Sequence, residues 1–159
     1  AHGNLPVQSD CQRDITLTQQ ALEINGLSPV LFAEAFAAQL EKAGGGTLAI
    51  MGSVAGDRGR KTNYVYGAAK GLIDRYAQGL QHRFADTRVK IVLIKPGPTA
   101  TPMTAHLPPR GLASAEDVAR RIVAAVAAGQ PIVYAPARWW LIMMIIRHLP
   151  RFVFNRLNI

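Results

Sequence analysis

Among the 159 residues there is one cysteine, Cys11, so no disulfide can close within the chain and no cysteine-based metal set can assemble. A reducing, cytoplasmic compartment is the simplest setting for such a sequence. Long apolar runs are also missing: Trp139 to Ile146 is eight residues long, against the ~20 that a bilayer-spanning helix needs. Acidic residues disappear after Asp117, whereas Arg120, Arg121, Arg138, Arg147, Arg151 and Arg156 follow it. Those six account for most of the net charge of +8, and without them 12 basic residues stand against 10 acidic ones. The basic residues alternate with aliphatic runs and carry no nucleic-acid-binding motif, which argues against a nucleic-acid partner. Repeats and low-complexity stretches are absent too. What is present is an apolar share of 49% and a charged share of 18%, which exclude a disordered chain and suit one domain with a single core.

Punctuation by glycine and proline divides the chain into alternating elements. Gln19 to Lys42 reads as helical, interrupted near Ser28-Pro29, and Gly44-Gly45-Gly46 ends it before an apolar strand at Thr47 to Met51. Tyr66 to Phe84 follows a helical period, with Ala69, Leu72, Ile73, Tyr76, Ala77 and Leu80 on the apolar side and Asp74, Arg75, Gln78 and Gln81 outward. A strand at Val89 to Ile94, a proline-bearing loop at Pro102 to Leu112, a helix at Val118 to Ala128 and a short strand at Pro131 to Tyr134 complete the alternation. Ser114-Ala115-Glu116-Asp117 has capping-box spacing ahead of that helix. This order predicts a parallel sheet covered by helices.

Ser53 stands just past the first strand, where open α/β sheets bind ligands, and Tyr66 and Lys70 follow at a spacing that stacks them on one helix face. Reducing a ketone by hydride leaves an alkoxide that needs a proton donor and hydrogen bonds. A free phenol near pKa ~10 is a poor acid at neutral pH, and a neighbouring ammonium would bring it down, so Tyr66 is the candidate donor. An isolated pair of this kind would read as a half-exposed tyrosine beside a solvated lysine. Tyr64 lacks a lysine four residues later and reads as pocket wall or core. Asp57 and Arg58 read as solvated loop charges ahead of contacts to a polar substrate, and His106 as a solvated loop side chain ahead of a substrate contact.

Ser53, Tyr66-Gly67-Ala68-Ala69-Lys70, Asn25, Pro96-Gly97 with Thr99 and Thr101, and Ala1-His2-Gly3 occur in the order and spacing of the short-chain dehydrogenase/reductase family, which the chain resembles over essentially its whole length. The resemblance implies an α/β fold: a Rossmann-like doubly wound parallel sheet with helices on both faces. It also implies an NAD- or NADP-dependent oxidoreductase with no metal. Catalysis would then rest on Asn25, Ser53, Tyr66 and Lys70: Ser53 holds the substrate oxygen, Lys70 the nicotinamide ribose, and Asn25 a water in a proton relay. Gly3, Tyr66, Lys70, Pro96, Gly97, Thr99 and Thr101 would contact the cofactor, with Gly3 permitting close approach and Thr101 meeting phosphate. His2, in place of the family's asparagine, reads as a structural residue bonded to backbone ahead of a lining of the adenosine side of the cofactor site.

The chain has no Gly-x-x-x-Gly-x-Gly turn. Against the family pattern it is expected to be the C-terminal portion of a longer protein, with the N-terminal βαβ units missing, and its own dinucleotide affinity is open, as is the choice between NAD and NADP. Residues 1-136 would form the dehydrogenase portion and 137-159 a basic apolar tail. Ser53 to Arg60, Asn63 to Lys70 and Arg147-His148-Leu149-Pro150 resemble, more narrowly, the reductases of the decaprenylphosphoryl-ribose epimerase group, implying a lipid-linked keto sugar as substrate. Tryptophans and arginines without acids suit an interfacial tail on an anionic membrane, on the inner face of the cell membrane; a core-packed helix or an oligomer contact stays open beside it. So do a cytosolic ketone or sugar reductase, and a catalytically silent fragment acting only in association. Family resemblance also implies a homo- or hetero-oligomer pairing near Ala33 to Leu40 and Leu72 to Leu80.

Overall fold

The computed structural model describes residues 2–157. Ala1 of the Ala-His-Gly segment and the last two residues of the tail lie outside the described residues. Three strands, β1 (Gly46–Met51), β2 (Val89–Pro96) and β3 (Ile132–Ala135), form a parallel sheet in the order β1-β2-β3. The helices are α1 (Gln8–Arg13), α2 (Ile15–Leu22), α3 (Ser28–Lys42), α4 (Tyr64–Arg83), α5 (Ala115–Ala127), α6 (Arg138–His148) and α7 (Arg151–Phe154).

Alternation along β2 explains the layering. Val89, Ile91 and Leu93 face one side, against Ala33 and Ala37 of α3 and Ile73, Ala77 and Leu80 of α4. Val92 and Ile94 face the other, against Ala125 and Ile122 of α5. A strand buried on both faces must be apolar throughout, as β2 is from Ile91 to Ile94. The sheet is thus covered on both sides, as expected of a doubly wound fold. Because strand order advances in one direction while α4 and α5 take opposite faces, the two crossovers have opposite hands, a departure from the near-universal right-handed rule. Gly44, with φ at 73°, supplies the left-handed turn between α3 and β1.

Two local expectations change. A short α1 precedes the predicted helix, the continuous helical stretch before β1 begins at Ile15 after the extended Asp14, and there is no break at Ser28-Pro29 but one π-helical turn, Glu23–Leu27, through which α2 runs into α3. Pro29 is tolerated because it falls in the first turn of α3. On α4, Leu72 is exposed whereas Asp74 is buried. A periodicity of apolar residues cannot foresee this, because Asp74 faces a lysine of the sheet.

The tail is a packed element. Met143 of α6 is buried with Val54 and Tyr134, and Trp139, Ile142 and Ile146 pack against them. Arg58 reaches from the loop after β1 to the carbonyls of Ile146 (2.5 Å) and Leu149 (2.7 Å), and its guanidinium stacks on Phe154, 3.8 Å from the ring centroid. These carbonyls belong to a helix C-terminus, where a cation offsets both the unpaired acceptors and the dipole. Arg58 is therefore a clamp between two segments, not a solvated loop charge. Arg58→Ala is expected to lower stability by about 2 kcal/mol and to raise hydrogen exchange selectively in residues 145 to 154; uniform exchange across the chain would contradict this role.

Candidate active site at the carboxyl edge of the sheet

The carboxyl ends of the strands and the N-terminal half of α4 enclose a cavity of about 840 Å³. All nine sequence-predicted residues line it: Gly3, Asn25, Ser53, Tyr66, Lys70, Pro96, Gly97, Thr99 and Thr101. The cause is geometric. β1 and β2 are parallel and in register from Gly46 with Val89 to Met51 with Ile94, so their loops emerge side by side, and Gly52 N–H still bonds to Ile94 O at 2.8 Å.

Ser53 caps the short 3₁₀ turn Val54–Gly56, its Oγ accepting from Ala55 N–H at 3.1 Å. Burial pushes the Tyr66 phenol pKa up, and the neighbouring Ser53 hydroxyl works against it. Lys70 is 4% exposed, and its Nζ donates to Met51 O at 3.2 Å. The ammonium lies 5.7 Å from the Tyr66 ring centroid. Burial lowers the Lys70 pKa to about 8, with Asp74 pulling it back up. The expectation of a phenol brought down by its lysine therefore changes: in this state burial outweighs everything else, and the phenol keeps its proton.

Asn25 is wholly buried in the π-helical turn. Its Nδ2 donates to Ala21 O (3.0 Å) and to Asn4 Oδ1 (2.6 Å), while its Oδ1 accepts from Asn4 N–H (3.0 Å). The turn rotates the side chain off the regular helix and onto the segment before α1. π-turns often mark such positions. Gly3 is tight against the same amide, since a Cβ there would stand 3.0 Å from Asn25 Oδ1. His2 bonds through Nε2 to the Ser28 hydroxyl (3.0 Å) and also lines the cavity.

The second edge of the cavity follows β2. Gly97 N–H continues the sheet to Ala135 O at 2.9 Å, and Gly97 must lack a side chain because a Cβ would fall 1.9 Å from the Trp139 indole nitrogen. Thr99 bridges to Ala113, and Thr104 donates to Thr99 O (2.5 Å), closing the loop that carries Thr101 on the exposed rim. His106 lines the cavity. Tyr64 is 44% exposed and is neither pocket wall nor core.

Beneath the cavity lies a charge cluster that the sequence reading missed. Lys95, 4% exposed, pairs with Asp57 and with Asp74 (2.5 Å to the latter), and the Tyr134 hydroxyl donates to Asp57 at 3.0 Å. Burial pushes the Asp74 carboxyl up and Lys95 pulls it back. Asp57 is thus buried, contrary to its reading as a solvated charge. One signal was available: Lys95 directly continues the apolar run Ile91 to Ile94, and a lysine buried at such a position needs acidic partners. Gln8, Arg60 and Asn63 also line the cavity and carried no individual motif.

The model of the short chain dehydrogenase family matches residues 4–110. Uncharacterized oxidoreductases of two Mycobacterium tuberculosis strains are 32% identical over 158 residues, covering 99% of this chain and 64% of theirs. An uncharacterized oxidoreductase of Streptomyces coelicolor is 34% identical over 120 residues, covering 76% of this chain and 48% of its own length. The chain therefore spans less than two thirds of the length of these relatives. The crystal structure of a short chain dehydrogenase from Burkholderia cenocepacia in complex with NADP has a TM-score of 0.84 at 22% identity, covering 100% of this chain and 68% of that one. The bulky-bulky ketone specific alcohol dehydrogenase from Comamonas testosteroni has a TM-score of 0.76 at 19% identity, covering 99% of this chain and 61% of that one.

The buried amine generates a pH-dependent prediction. Folded Lys70 loses its proton through about pH 8, whereas an unfolded lysine holds it to about 10.4. Between these values the unfolded state binds more protons, so stability rises with pH across the window. Relative to Lys70→Met, the wild-type chain should gain about 1–3 kcal/mol between pH 7 and pH 10, at ~1.4 kcal/mol per pKa unit. Urea unfolding at the two pH values measures it, and parallel behaviour of the two proteins would refute a depressed amine.

Proposed function

The chain belongs to the short-chain dehydrogenase family, and from that premise we propose that it is the portion of an NAD(P)-dependent oxidoreductase that carries the reacting groups, transferring hydride between nicotinamide and a keto or hydroxyl group. The observation that carries this reading is the convergence of Ser53, Tyr66 and Lys70 on one cavity at the carboxyl edge of a parallel sheet. In the reduction direction the protonated phenol of Tyr66 gives its proton to the developing alkoxide, and the Ser53 hydroxyl donates to the same oxygen. The phenolate left behind needs a positive charge beside it. Lys70, fixed to Met51 O, supplies the adjacent positive charge.

The residues present fit the nicotinamide half of a cofactor. Two of the three Lys70 donors have no protein acceptor among the described residues, which suits ribose hydroxyls, and the Pro96 to Thr99 backbone with Thr101 borders the same cavity. Bound there, the nicotinamide supplies or accepts the hydride. A glycine turn for the pyrophosphate is absent from the sequence, so full affinity requires residues beyond these. The B. cenocepacia protein was crystallised with NADP, which favours that form of the cofactor.

For the substrate, we favour a keto sugar on a lipid phosphate. The support is the tail: Trp140, Leu141, Ile145 and Phe152 are each more than half exposed, beside Arg147, Arg151 and Arg156. Among the described residues no helix is long and apolar enough to cross a membrane; our reading is that 137–159 lies on a surface and that the enzyme works peripherally on the cytoplasmic side. The exposed Leu31, Phe32, Phe36 and Leu72 on α3 and α4 support pairing with another subunit.

Two outcomes are expected of the full-length protein. Tyr66→Phe should lose at least about a hundredfold in kcat, on the scale of general acid catalysis, with cofactor affinity within a few-fold of wild type; near-wild-type single turnover would remove Tyr66 from the chemistry. The double variant Trp140→Asn/Leu141→Asn, at exposed positions, should sediment less with anionic vesicles, and wild-type binding should weaken with salt, since each arginine at such a surface is worth about 1 kcal/mol. Equal sedimentation of both proteins would defeat the membrane reading.

A further inference from the structure

Three polar side chains lining the same cavity as Tyr66, one buried and two half-buried, each hold a buried atom without the partner its chemistry demands. Gln8 is 8% exposed; its Oε1 accepts from Val65 N–H (3.0 Å) in the first turn of α4, and its Nε2 is enclosed with no partner among the described residues. Asn63 holds the N-cap position of α4 yet makes no capping hydrogen bond, because Gln8 has taken that work, and its buried Oδ1 is likewise unpartnered. Rotating the Asn63 amide exchanges oxygen for nitrogen and presents a donor instead. Arg60 has a buried, unpartnered Nε and no carboxylate within ion-pair distance among the described residues, and burial lowers its pKa. All three line the Tyr66 cavity.

We propose that Gln8, Arg60 and Asn63 form an anion subsite that holds a phosphate or carboxylate carried by the carbonyl substrate. This deepens the oxidoreductase reading and rests on it for the identity of the ligand as substrate. A half-buried guanidinium without a counter-charge is unfavourable, and Asp57, the acid nearest to it in sequence, is committed to Lys95 and Tyr134. An arriving anion supplies the counter-charge that the guanidinium lacks. The N-terminus of α4, a 20-residue helix with no acidic residue in its first turn, adds its dipole in the same direction. The placement also sets the ligand. Asn63 and Tyr66 are three residues apart, on one face and within one turn of ~5.4 Å, so the anionic group sits a few bonds from the carbonyl. Arg60 and Asn63 lie on the segment joining Ser53 to Tyr66, which puts the subsite beside the reacting oxygen, while the loop after β2 borders the rest of the cavity. The substrate class is a small or lipid-borne ketone with a negative group close to its carbonyl.

The test uses the full-length protein with NADPH and NADH and two matched ketone pairs, dihydroxyacetone phosphate against dihydroxyacetone and acetoacetate against ethyl acetoacetate. The anionic member should be favoured in kcat/KM by at least tenfold, by phosphate in one pair or carboxylate in the other, which distinguishes the two anions. That ratio should fall at least tenfold in Arg60→Met, be partly kept in Arg60→Lys, and be unaltered in Arg75→Met, a charge-matched change at the exposed face of α4. A ratio near unity in wild type, or one that Arg60→Met leaves in place, overturns the subsite. If no ketone is reduced, the oxidoreductase reading fails separately, and titration with inorganic phosphate then decides the subsite. Saturable shifts of the Arg60 Nε and Asn63 amide resonances that Arg60→Met abolishes support it; their absence, or shifts at Asn63 that survive Arg60→Met, refutes it.

Discussion

A lysine inside a parallel sheet organises this molecule. Lys95 occupies the end of β2, where its neighbours on the same strand are apolar and its register partner is Tyr134. Its two carboxylate partners come from different parts of the chain: Asp57 from the loop after β1 and Asp74 from the middle of α4. The ion cluster thus joins the loop bearing Ser53 to the helix bearing Tyr66 and Lys70. Removing one partner of such a buried group leaves an uncompensated charge, at a cost of about 3–5 kcal/mol. Close approach is enforced from the other side as well, because a Cβ on Gly56 would stand 2.8 Å from the Lys70 backbone.

The consecutive residues Asp57 and Arg58 extend this linkage in opposite directions. Asp57 turns inward to Lys95 and Tyr134, while Arg58 turns outward to the end of α6 and to Phe154. Trp139 closes the arrangement by covering Gly97. The tail is consequently part of the wall behind the cavity, and its exposed residues are the ones that remain after Met143 and its neighbours have been buried. An apolar run that packs one side and presents the other satisfies both the core reading and the surface reading of the same segment.

Electrostatics divide the cavity into two regimes. Around Lys95 the charges are matched, with two buried carboxylates near two buried amines, Lys70 and Lys95, so each charge is compensated within the protein. Around Arg60 they are unmatched. The first region holds the reacting groups in place, and the second is complete only with a ligand.

Periodicity and glycine and proline punctuation were sufficient to read the alternation of strands and helices and the parallel sheet, because these follow from local rules: a continuous apolar run for β2 and period 3.6 for α4. The place of Ser53 past a strand and the Tyr66/Lys70 spacing marked the reacting groups, whereas the other residues of the cavity were legible only through the resemblance to the family. The sequence could not show that Asn25 sits in a π-helical turn, since a single extra residue per turn leaves no trace in composition. Nor could it place Asp74 inward, Asp57 under cover or Gln8 at the head of α4. Each of those depends on a partner 21 to 57 residues away, and whether a polar side chain is solvated or buried is decided only when tertiary packing brings, or withholds, the group that pairs with it.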